Sequence, residues 1–92
     1  MDNNKITFGV NLSVDNYWDV PEFARRAEEM GYGRVTMGEH IMDGNPPRPT
    51  VLNLPAMAAA AGATRNIRVM TGIVVTPLYH PVTLAKMVAS VD

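Results

Sequence analysis

Hydrophobic and polar positions along the chain follow two periods that take turns. In residues 5–11, KITFGVN, apolar Ile6, Phe8 and Val10 occupy every second position, which predicts a strand. The period then changes: Val20, Phe23, Ala24, Ala27 and Met30 recur at helical spacing, with Arg25, Arg26, Glu28 and Glu29 on an opposite, solvated face. Asp19 is a candidate N-cap with Glu22 at capping-box distance, Pro21 suits the first turn, and Gly31 marks the stop. RVTMG at 34–38 predicts a short second strand, followed by a loop over 39–52 rich in Gly, Asn and Pro. A second helix is predicted over 53–62, NLPAMAAAAG, with Asn53 as cap, Pro55 in the first turn and Gly62 at the end. Its run of Ala59, Ala60 and Ala61 implies a helix lying close against a sheet. Residues 67–75, IRVMTGIVV, are almost continuously apolar, as in a parallel strand buried on both faces. A third helix is predicted over 81–91, with Leu84, Ala85, Val88 and Val91 on one side.

Strand and helix thus alternate three times. That order predicts an α/β fold with right-handed crossovers and a parallel sheet. The loops leaving the strands are long and the returning loops short, and in such folds the strands' C-terminal ends carry the chemistry. Both of the chain's two histidines, His40 and His80, fall on these loops, as do Asn11, Ser13, Glu39 and Asp43.

Composition narrows the function classes. A net charge of −1 with scattered basic residues gives no electrostatic case for nucleic acid or an anionic membrane as partner. Absence of cysteine excludes a disulfide framework and thiolate chemistry. The first residues hold no apolar signal core, and the most apolar stretch, VLNLPAMAAAAGA, is broken by Asn53 and Pro55 and too short to span a bilayer. A cytoplasmic protein is expected. The seven methionines read as core filler. The acidic residues lack ligand spacing and no His-x-x-x-His occurs, so no metal is expected.

Three strand–helix units leave both sheet edges open, and a closed eight-fold barrel needs about 250 residues. The 92 residues are therefore expected to be one partial barrel domain, a truncated product. The other reading is a small complete doubly wound domain, but no glycine-rich phosphate loop follows any strand.

Two motifs carry candidate chemistry. In GEHIM, 38–42, a Glu–His pair at a strand end can polarise a substrate or accept a proton, because imidazole is the side chain that changes charge near neutral pH. The bland alternative is a loop histidine bonded to a backbone carbonyl. In TGIVVTPLYHP, 71–81, Gly72 interrupts a β-branched strand, pointing to a bulge or a flat ligand's close approach, or to a glycine tolerated at a packing contact. Pro81 suits a first helical turn, and His80 reads as that helix's cap or as a site residue.

VTMGEHIM, followed by NLPAMAAAAGATRNIRVMTGIVVTPLYHPVTLAKMVASVD, resembles the first third of the bacterial luciferase-like monooxygenase family. The family includes enzymes that use a deazaflavin coenzyme, and the loop DGNPPRP is similar to that of the actinobacterial members. The resemblance implies the N-terminal (βα)3 portion of a TIM-like (β/α)8 barrel and a flavin- or deazaflavin-dependent oxidoreductase, with FMN or coenzyme F-420 as cofactor. It implies that His40 is the active-site histidine with Glu39 beside it, and that the Gly72–Ile73 bond is a non-proline cis peptide in a bulge backing the flavin ring. Thr71, Thr76 and His80 would line the same pocket. It also implies a small-molecule substrate and a homo-oligomer. The competing expectation is a non-catalytic truncated barrel module that pairs with itself or with a complementary partial barrel.

Overall fold

The computed structural model describes residues 5–12 and 14–92, so Ser13 lies outside the described residues. Three parallel strands, β1 (Gly9–Asn11), β2 (Arg34–Met37) and β3 (Arg68–Thr71), stand in the order β1-β2-β3. They alternate with helices α1 (Val20–Glu29), α2 (Asn53–Ala63) and α3 (Pro81–Val91). This is the expected fold class, an α/β (βα)3 portion of a TIM-like barrel.

Register divides the sheet into two faces. Val10, Val35 and Val69 are paired in one row, while Asn11, Thr36 and Met70 form a row of the opposite parity. The first face joins the core: Val35 and Met37 cluster with Val20, Ala24 and Ala27 of α1 and with Ala56, Met57 and Ala60 of α2. Ala24, Ala56 and Ala60 are wholly buried. Of the alanine run, Ala60 is the buried member and shares the core cluster with Val35 and Met37 of β2, so α2 does lie against the sheet.

Ladders and termini depart from the sequence pattern where a tertiary partner is missing or stronger than the local one. The first strand begins at Gly9 rather than residue 5, and Ile6 and Phe8 are 84% and 70% exposed. β2 pairs with β1 from Arg34, and backbone bonds extend that ladder at each end, Gly33 N–H to Phe8 O (2.8 Å) and Leu12 N–H to Thr36 O (2.7 Å). A 3-10 turn (Tyr17–Asp19) feeds directly into α1, so Asp19 has helical dihedrals and its side chain makes no cap bond. Glu22 instead pairs with Arg25 at 3.1 Å, and the expected capping box does not form. Gly31 behaves as expected, stopping α1 at φ +90°. α2 runs past Gly62 to Ala63, and its N-cap is Leu52; Asn53 is inside the helix and fully buried.

β3 ends at Thr71, well short of residue 75, and alternates exposed and half-buried positions instead of being buried on both faces. It is an edge strand, and only its helix-facing side is covered. Beyond it come the cis Gly72–Ile73 bond, which agrees with the expectation, and a 3-10 turn (Thr76–Leu78). α3 has no buried residue, and Val88, expected inward, is 49% exposed. Between α2, β3 and α3 runs an open groove of about 700 Å³, lined in part by Met57, Val69 and Val88.

Glu28 belongs to the face expected to be solvated, yet it is half-buried. Its carboxylate accepts the backbone N–H groups of Arg65 (3.1 Å), Asn66 (2.7 Å) and Ile67 (2.8 Å), tying the end of α1 to the turn before β3. Those bonds, that from Asn66 foremost, hold the carboxyl below its ordinary pKa.

Candidate active site

β2 aims two consecutive residues in opposite directions. Glu39 turns inward and is 6% exposed, whereas His40 is exposed. His40 lines a cleft of about 300 Å³ at the C-terminal ends of the strands, together with Asn11, Gly38, Asp43, Arg48 and Gly72. The structure thus brings His40 and Gly72 to one mouth. Thr71, Ile73, Thr76 and His80 are not among the residues lining it.

Part of the cleft's lining is bare backbone, at Gly38 and Gly72, beside the apolar Leu12, Met37 and Val51. Gly38 stands so close to β3 that an added Cβ would meet Gly72 O at 3.3 Å. At Gly72 an added Cβ would find nothing nearer than Thr36 at 4.0 Å. Two consecutive strand ends without side chains make a surface against which a flat ring can lie, and the cleft's size is at the lower end for small-molecule pockets, about 300–1,000 Å³. The rim is polar. Thr36 Oγ1 lies 3.5 Å from Asn11 Oδ1. The loop after His40 folds into a small hairpin, bridged between Asp43 and Arg48, with Gly44 at φ +86° and a cis Asn45–Pro46 bond. Arg48 donates to Asp43 Oδ2 at 2.7 Å, so the guanidinium among these lining residues is already paired. The site suits a ring better than a phosphate.

Glu39 is held behind this wall. Its carboxylate accepts from Val75 N–H (2.9 Å), Asn53 N–H (3.3 Å) and the Tyr79 hydroxyl (2.6 Å). Burial, and then the bond to Glu39 with its negative charge, pushes the Tyr79 phenol up to about 12. Asn53 Nδ2 donates to Ile73 O (3.1 Å) and lies 3.5 Å from Met37 O. His80 is the N-cap of α3, its Nδ1 accepting from Val82 N–H at 3.3 Å, which is the capping reading of that residue.

Tyr79, Arg48 and the inward role of Asn53 are the residues that sequence reasoning missed. One signal was present: an asparagine and a tyrosine set among apolar neighbours need hydrogen-bond partners if they are buried. Among the described residues no three His, Asp or Glu side chains gather into a metal-binding group, and no helix is long and apolar enough to cross a membrane.

The sequence model of the luciferase-like monooxygenase family matches residues 4–92. A search of curated proteins found no match.

Proposed function

The chain belongs to the luciferase-like monooxygenase family, and from that premise we propose that it is a flavin- or deazaflavin-dependent oxidoreductase acting on a small molecule, with the His40–Gly72 cleft as its ring-binding face. A general oxidoreductase function comes with the family, whose members generally use reduced flavins. The observation that carries the finer reading is the shared cleft: an exposed imidazole beside bare glycine backbone.

Each residue then has a physical task. The Gly38 and Gly72 backbone would hold the ring of FMN or coenzyme F-420 by flat contact, the hairpin from Asp43 to Arg48 would close one side, and His40 would hold or move a proton at an imidazole nitrogen. Bound there, the cofactor would supply the electron or hydride transfer. Glu39 accompanies His40 without reaching the cleft. Thr71 and Ile73 flank Gly72 in the sequence and Thr76 and His80 follow it, and their part in cofactor binding belongs to the same proposal. A cytoplasmic location suits a chain without cysteine.

Titration of the chain with FMN, riboflavin and an 8-hydroxy-5-deazaflavin, followed by quenching of ligand fluorescence, tests the reading. Affinity in the micromolar range is expected for at least one ring. Riboflavin and FMN should bind equally, because the lining offers no unpaired guanidinium to a phosphate. His40→Ala should weaken binding about tenfold, the loss of one good hydrogen bond. Absence of binding by all three rings would remove the proposal.

A second reading, a module that pairs with itself or with a complementary partial barrel, is favoured by one observation. The outer side of β3 is open and borders the groove of about 700 Å³ beside the half-exposed Met70 and Val88.

A further inference from the structure

We propose that Glu39 and Asn53 are positioning residues, a buried polar bracket that fixes residues 73–75 and through them the seat of Gly72 in the cleft, and that Glu39 exchanges no proton with the ligand. This rests on reading the cleft as a ring-binding face.

The geometry separates Glu39 from the chemistry next to it. Gly38 and His40 both line the cleft, and Glu39 between them does not. Its two carboxylate oxygens are engaged by three donors from three segments: Val75 N–H after β3, Asn53 N–H at the start of α2, and the Tyr79 hydroxyl before α3. The first residue of α2 is Asn53, so the buried charge also faces a helix N-terminus, where a carboxylate is favoured. A residue with two acceptor oxygens is what these donors require; a neutral amide would turn an N–H toward one of them.

Asn53 completes the bracket from the other side. Both neighbours of its Nδ2, Ile73 O and Met37 O, are carbonyls, so a reversed amide would set oxygen against oxygen. Its Oδ1 is buried without a partner among the described residues, so the side chain is held by donation alone. Asn53 therefore links the carbonyl just past Gly72 to the end of β2. Glu39 links the amide two residues further on to the same strand end. Gly72 is still tied to the end of β2 by its own N–H to Met37 O (2.8 Å); residues 73–75 belong to no strand, and the Asn53 and Glu39 bonds hold them where the ladder has ended.

The test measures backbone amide exchange by NMR together with FMN binding, in wild type, Glu39→Gln and the milder Tyr79→Phe. Exchange at Val75 should rise about tenfold or more in Glu39→Gln and several-fold in Tyr79→Phe, with Val35 in β2 unchanged. FMN affinity should fall in the same order at a temperature far below unfolding, and the visible absorption band of the bound flavin should shift. Faster exchange everywhere, with affinity and band unchanged, would make the residues ordinary stability contributors and overturn the proposal. So would weaker binding with Val75 exchange unaltered, because Glu39 would then be touching the ligand. If wild type binds no flavin, the ring-binding reading fails on its own. The exchange contrast between Val75 and Val35 still decides whether the bracket holds residues 73–75.

Discussion

At the scale of single residues, the carboxylates of this chain divide by what their partners are. Glu28 and Glu39 both accept backbone N–H groups, and those partners lie 14 to 39 residues along the chain. Neither role is legible in the sequence, because an N–H group in a loop has no letter of its own. His40 and Gly72 were legible as neighbours, since strand C-terminal ends converge in any parallel sheet. The Glu28 clamp has a defined pH signature. Its folded pKa is lowered, so the clamp stabilises fully above the unfolded value near 4.5 and is lost as pH falls through the lower folded value. Glu28→Gln should therefore be less stable than wild type at neutral pH, and the gap in denaturation midpoint should close as the medium is acidified below the ordinary carboxylate range. A gap that stays constant with pH would mean that the negative charge is not what the three N–H groups recognise.

At the scale of elements, periodicity identified all six strands and helices, and their ends were set by something else. Side-chain caps at Asp19 and Asn53 were plausible by residue type, yet the 3-10 turn before α1 gives Asp19 helical dihedrals with no cap bond, and Asn53 is used in the buried bracket. β3 ended early because its apolar letters report what the strand can bury, and an edge position covers only one face. The alanine run was informative because close packing restricts size more than identity. Ala60 of α2 is wholly buried in the core shared with α1 and the sheet, whereas Ala58, two positions earlier, is exposed. Leucine at position 60 has no room without moving a helix, so Ala60→Leu should cost about 1–3 kcal/mol of unfolding free energy. Ala58→Leu should change it by less than about 0.5 kcal/mol. Denaturant titration of both variants checks the pair. Equal effects would mean that the two helices and the sheet are not closely packed at Ala60.

At the scale of the whole molecule, the imbalance lies between a core on one side and unused apolar surface on the other. α1, α2 and the sheet share one cluster, while α3 contributes no buried residue and the β3 side opens into the groove. Leu54, Met57 and Val69 form its floor, and Met70 and Val88 stand at its margins, 46% and 49% exposed. A strand edge with free N–H and C=O groups, next to an apolar trough, is a template for another chain. Exposed Arg68 on β3, with Arg65 and Asp92 lining the same groove, sets charge against such pairing. If the apolar trough outweighs it, sedimentation velocity over a concentration series should show a mass that rises above the monomer. Met70→Lys combined with Val88→Lys should return the chain toward monomer, because both charges would have to be buried at the contact. The same double variant should leave flavin affinity unchanged, since neither side chain lines the His40 cleft. A monomer at every concentration would show that the open edge is not used for self-association, and a double variant that associates as strongly as wild type would place the contact on another face.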